Sequence, residues 1–146
     1  MKYLLAIALF AFFSFSAYAS SQGLISHKSP YSVTTTMDRL TAVLQHKGIR
    51  IFARIDDSKA ARSVGMVLRP TQLLIFGNPR FGTPLMQKVP TIGLDLPLKI
   101  LVWQDPHGQV WVTWDSPDYL TQRYQLDTSY TKGFAVIGKL VSSALK

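Results

Sequence analysis

Six polar residues stand where strand-end chemistry could be done: Arg54, Asp56, Arg69, Asn78, Arg80 and Thr83. Arginine forks bind carboxylates and phosphates through paired N–H groups, and a buried carboxylate can serve as a general base. A turn that runs into a helix N-terminus can hold an anion on its backbone N–H groups. On this reading Asn78, Arg80 and Thr83 make an anion-binding turn. Arg54, Asp56, Arg69 and Asn78 would line the polar cleft of a small enzyme. Each residue also has a sufficient local role. Asn78-Pro79 shapes a turn, Thr83-Pro84 is an N-cap and first-turn pair for a helix to Lys88, and Asp56 is a cap candidate. Arg54 with Asp56, or Arg69 with Asp95, would be an ordinary ion pair.

Other chemistry lacks its residues. The chain has no cysteine, and all eight of its acidic residues are aspartate. Thiolate metal sites and thiol catalysis are therefore excluded. His27, His46 and His107 are far apart and share no ligand spacing, so no metal is expected. Neither a G-x-S-x-G elbow nor a phosphate loop is present, and no cofactor is expected. The net charge is +8, but the Lys and Arg are scattered without a run of three. A solvated basic surface is expected rather than nucleic-acid binding.

The first residues form a targeting pattern. Met1-Lys2 is basic, Tyr3 to Phe13 is nearly all apolar, and Ala17-Tyr18-Ala19 is an A-x-A cleavage pattern. This predicts a signal peptide over 1–19, a flexible leader over 20–28 and one domain over 29–146, in the periplasm or secreted. The rival reading is an uncleaved anchor, since Tyr3 to Ala19 is just long enough to span a bilayer. No later stretch is long enough.

The periodicities name the elements that must position these residues. Val33, Met37, Leu40 and Leu44 recur on one face of a helix capped by Ser32 and stopped by Gly48. Ile49 to Ile55 alternates, placing Ile49, Ile51, Ala53 and Ile55 on one side and Arg50, Phe52 and Arg54 on the other. Gln72 to Phe76 is a central strand. Leu98–Trp103 and Gln109–Trp114 form a hairpin through Asp105-Pro106-His107-Gly108. Thr131 to Leu145 is a closing amphipathic helix. Together they predict an α+β fold, a mainly antiparallel sheet with helices on one face.

That sheet has two apolar faces. Leu98, Ile100, Val102, Val110, Val112 and Trp114 point to the helix-covered core. Leu101, Trp103 and Trp111, with Phe52 by the same alternation, point the other way, and Arg50, Arg54 and Lys99 edge them. Either further helices or the leader cover this second face, or it is an interface or ligand surface.

Several stretches carry a resemblance: FARIDDSKAARSVGMVLRPTQLLIFGNP (52–79), GTPLMQ (82–87), LDLPLKILVWQD (94–105) and GQVWVTWDSPDYL (108–120). The chain resembles the bacterial domain of unknown function 302 family from about residue 25 to 125. The resemblance implies a small α+β domain with a TATA-binding-protein-like layout, dimers, and no established activity. Two positions depart from the pattern. Asp57 stands where many members have the histidine of ARIDH, and Arg123-Tyr124-Gln125-Leu126 stands at the late ARHGL stretch, with Tyr124 in place of its histidine. Any histidine chemistry in the family is thus lost here. The resulting expectation is an exported, non-enzymatic binding domain that dimerises or takes up an amphipathic or anionic small molecule on Phe52, Leu101, Trp103 and Trp111. The alternative is a small envelope enzyme using the polar cleft.

Overall fold

The computed structural model describes residues 23–146. The proposed signal peptide, its cleavage site and the start of the leader lie outside these residues. Five strands run in the chain order β1 Leu24–Ser29, β2 Arg50–Asp56, β3 Thr71–Gly77, β4 Leu98–Gln104 and β5 Val110–Asp115. They form one sheet in the spatial order β1-β5-β4-β3-β2, and every pairing is antiparallel. Leu24 to Lys28, where the leader is expected to enter a first short strand, are strand residues paired with β5. Alternation over so short a run is a weak signal, and the partner strand lies far along the chain.

The helices are α1 Val33–His46, α2 Asp57–Ser63, α3 Pro79–Lys88, α4 Pro117–Arg123, α5 Thr131–Phe134 and α6 Val136–Ala144, with 3₁₀ turns at Pro90–Leu94 and Thr128–Tyr130. The Ser32 side chain accepts from the Thr35 N–H and caps α1, satisfying one of the free donors of its first turn. The predicted stripe of Val33, Met37, Leu40 and Leu44 is buried. It packs with α6 over the face formed by Leu74, Phe76, Ile100, Val102 and Val112. Burying each such side chain contributes roughly 1.5–3 kcal/mol. The expected closing helix is divided at Ala135 into α5 and α6.

Two sequence expectations are corrected. First, β2 does not alternate throughout. A β-bulge at Phe52 lets Ile51 oppose Phe76 while Ala53 opposes Ile75. The extra residue shifts the two-residue period by one. Arg54 therefore opposes Leu74 on the helix side, while Ala53 and Ile55 turn to the other face. Second, α3 begins at Pro79, not after Thr83. The Asn78 side chain accepts from the Arg80 N–H, and Pro79 occupies the first turn, leaving Pro84 inside the helix. Asn-Pro is as good a helix start as Thr-Pro, and the earlier one is used here. At Gly133 the helices approach closely: a Cβ there would meet the Phe81 ring at 2.5 Å. Phe81 packs edge-on against the buried Phe134, centroids 5.6 Å apart.

Candidate functional site

Along β3, β4 and β5 the helix-side positions are buried. The alternate positions Leu73, Ile75, Leu101, Trp103 and Trp111 are only half-buried, and none packs against the core. No helix among the described residues covers the second face. At one end of it, Trp103 and Trp111 stack at 6.4 Å and 22°. The Trp103 indole N–H donates to Thr113 Oγ1 at 2.9 Å, and the Trp111 indole N–H donates to Asp105 Oδ2 at 2.9 Å. Lys28 Nζ lies 5.5 Å from the Trp111 ring centre. With both N–H groups satisfied, the ring surface left to solvent is apolar. The Trp111 bond, together with the backbone N–H groups of His107 and Gln109 and against some desolvation, lowers the Asp105 pKa.

Phe52 does not join this pair. The bulge and the register place it at the far end of the face, beside Gly77 and Pro97. The distance is about that of a seven-residue strand, roughly 20 Å. There the Arg50 guanidinium sits 5.0 Å from the Phe52 ring centre. Phe52, Phe81, Met86, Leu96, Pro97 and Leu98 line an apolar pocket of about 290 Å³, and Asn78 and Thr83 complete its wall. This pocket joins Phe52 of the apolar face to Asn78 and Thr83 of the polar turn. Its lining contains no charged side chain.

The proposed polar cleft is not assembled. Arg54 lies on the helix side, where its Nε donates to Gln72 and its guanidinium pairs with Asp38 of α1. It neither pairs with Asp56 nor edges the bare face. Asp56 caps α2, accepting from the Ser58 hydroxyl and the Lys59 N–H. These two bonds, the hydroxyl first, hold its pKa below the usual carboxylate value. Arg69 precedes β3, whereas Asn78, Arg80 and Thr83 follow it, so a whole strand separates the two groups. Asp95 pairs with Arg123 and not with Arg69.

Asp95 belongs to a cluster that the sequence reading missed. The Tyr124 hydroxyl donates to Asp95 Oδ2, Arg123 Nε lies 3.2 Å from the same oxygen, and Arg123 donates to the Tyr119 hydroxyl at 2.7 Å. Burial and the bond to Asp95 raise the Tyr124 pKa. Burial first, and then the Asp95 charge, raise that of Asp115. The only sequence signal was Tyr124 in place of the pattern's histidine. The glycine of the same pattern falls on Gln125, which adopts φ +49°. Among the described residues no three His or Asp side chains are grouped to hold a metal. His27 tilts against Trp114, centroids 5.2 Å apart.

Among the described residues a single antiparallel sheet, covered by helices on one side only and with a pocket at one end, defines a small two-layer α+β domain. The chain belongs to the domain of unknown function DUF302 family, whose model matches residues 25–144. A crystal structure of an uncharacterized conserved DUF302 protein from Bacillus stearothermophilus has the same fold. Its TM-score is 0.69 at 19% identity, over 86% of this chain and 97% of that one. Among curated proteins the chain is 45% identical over 107 residues to the fluoride-specific ion channel FluC 1 of Brucella suis biovar 1 (strain 1330). It matches FluC 1 of Brucella abortus biovar 1 (strain 9-941) at the same identity. The match covers 73% of this chain but 42% and 40% of those proteins. The chain thus spans about two fifths of the length of these relatives.

Proposed function

We propose that this is an exported, non-catalytic binding domain that takes up an amphipathic, anionic small molecule. The apolar tail enters the pocket between Phe52, Phe81, Met86 and Pro97, and Arg50, stacked on Phe52, meets the charged end. The reading rests on the pocket itself: about 290 Å³, walled by apolar side chains, at the edge of a sheet face that no helix among the described residues covers. Sites of this size with few polar groups suit small apolar ligands. The dispersal of Arg54, Asp56, Arg69 and Asn78 argues against the enzyme alternative. The length of the Brucella relatives supports a module that also works as part of larger proteins. Export rests on the Met1–Ala19 pattern.

The test is native mass spectrometry of protein expressed with its full chain and purified without detergent. A protein mass beginning at Ser20, with an adduct lost on activation in the wild type and absent from Phe52→Asp, is the expected result. A bare wild-type protein that also fails to retain added fatty acid would refute ligand uptake. A second reading, self-association, is favoured by the half-exposed Leu73, Leu101, Trp103 and Trp111, and the same spectrum reads it. A dimer that Trp111→Asp converts to monomer would assign the bare face to a second copy.

A further inference from the structure

Between α2 and β3 the chain turns its apolar side chains to solvent. Val64, Met66 and Val67 are 71%, 66% and 98% exposed, and Leu68 is exposed beside them. None belongs to the core. Four large apolar side chains within five residues form a patch, unlike the single exposed apolar residues found on any surface. The loop is tied at both feet. The Gly65 and Met66 N–H groups donate to the Arg62 and Ala61 carbonyls at 3.1 and 3.0 Å, and Gly65 adopts φ +75°. At the other foot the Thr71 hydroxyl donates to the Arg69 carbonyl at 2.9 Å, and the Gln104 N–H donates to the Pro70 carbonyl at 3.0 Å. The fold therefore holds the apolar tip out.

Within the segment itself the charges are all positive. Arg62 and Arg69 bracket the tip, Lys59 lies one helical turn earlier, and residues 58–70 contain no acid. All three cations are exposed, and none makes a salt bridge among the described residues. In sequence the nearest carboxylates are Asp56 and Asp57 at the start of α2, where Asp56 accepts from the Ser58 hydroxyl and the Lys59 N–H; Asp105, next to Gln104 at the other foot, accepts from the Trp111 indole. We propose that Val64–Leu68 is a membrane-docking tip that inserts Val64, Met66, Val67 and Leu68 into an anionic lipid surface while Lys59, Arg62 and Arg69 meet the headgroups. This goes beyond the ligand reading and does not depend on it. An apolar segment rimmed by cations is what the boundary between headgroups and acyl chains accepts. A second copy fits less well. A two-fold contact would place each patch on its own image, bringing three cations against the same three.

The chain has no cysteine, so Val67→Cys in the full-length protein gives one labelling site for an environment-sensitive fluorophore. Its emission should shift to the blue with vesicles containing phosphatidylglycerol. It should change little with pure phosphatidylcholine, and the shift should fall with added salt. Replacing both Arg62 and Arg69 by Gln should weaken binding about 25-fold, from about fivefold per basic residue near an anionic surface. Met66→Asp in the labelled chain should abolish the shift. Residues 1–22 are the same in every variant and do not explain such differences. A vesicle-bound protein whose label keeps its aqueous emission overturns the proposal, as does an equal shift on neutral vesicles or no binding at all. A blue shift without vesicles that grows with protein concentration assigns the tip to a second copy and overturns it too.

Discussion

Gly133→Ala would drive a methyl group into the Phe81 ring. The new Cβ would lie 2.5 and 2.6 Å from Phe81 Cε2 and Cζ, where carbon atoms rest at about 3.5–4.0 Å. The ring must retreat by about 1 Å. Overpacking of this kind costs about 1–3 kcal/mol, and the edge-on contact with Phe134, of a type contributing about 0.5–1.5 kcal/mol, is disturbed as well. Alanine in place of a helical glycine returns up to about 1 kcal/mol. The net expectation is a loss of about 1–2 kcal/mol, a urea midpoint lower by roughly 0.5–1 M. Tryptophan fluorescence of the three native indoles would follow the transition. The decisive comparison is a double-mutant cycle. In a Phe81→Ala background the obstacle is gone and only the helix preference remains, so Gly133→Ala should become neutral or stabilising. Equal destabilisation in both backgrounds would refute the close-contact reasoning. Because Phe81 also lines the pocket, the same substitution should reduce ligand retention.

Gln125→Gly should stabilise the domain by about 0.5–1 kcal/mol in urea unfolding, because it relieves a left-handed residue at the end of α4. The Leu126 and Gln125 N–H groups there bond the Thr121 and Gln122 carbonyls, so the conformation is retained. Asp115 carries a pKa raised by burial, so its folding contribution is best below the ordinary carboxylate range and is lost as pH rises through the folded pKa. Asp115→Asn should therefore raise the thermal midpoint at pH 7 and give no advantage near pH 3. Asp56 has the opposite sign. Its depressed pKa stabilises the fold above the unfolded value and ceases to do so as pH falls through the folded one. Asp56→Ala should cost about 1 kcal/mol at neutral pH through loss of the cap, and the gap to wild type should close in acid.

How far the sequence could be read depended on whether a feature was local. The Ser32 cap, the α1 stripe and the core face of the β4–β5 hairpin were legible because each depends on neighbours within a turn or along a strand. The bulge at Phe52 was not. Arg50 to Ile55 alternates faultlessly in sequence, and only pairing with β3 shows that one residue is extra. It moved Arg54 to the α1 side and so dissolved the polar cleft. The start of α3 was a choice between two equally good Xaa-Pro pairs, decided by how soon the chain must leave β3. The Asp95–Arg123–Tyr124 contacts join residues 29 apart through the Tyr124 hydroxyl, and no local pattern announces them. The pocket was half legible. Its polar wall at Asn78 and Thr83 and its apolar wall at Phe52 were each singled out, but their meeting depends on the register at Gly77.

The pairing of β1 with β5 has a consequence for the order in which the protein forms. Ser26 and Thr113 bond side chain to side chain across 87 residues, while β4 and β5 are joined by a short turn. Closing so long a loop costs entropy before any contact compensates it. The hairpin and the β2–β3 and β3–β4 pairs should therefore assemble first, leaving the outer side of β5 as an unfilled edge until residues 24–29 arrive. In pulse-labelling hydrogen exchange during refolding, the amides of Leu24 to Ser29 should gain protection after those of β3 and β4. A chain that emerges N-terminus first would thus hold residues 24–29 unpaired until β5 had followed, with only α4 to α6 still to come.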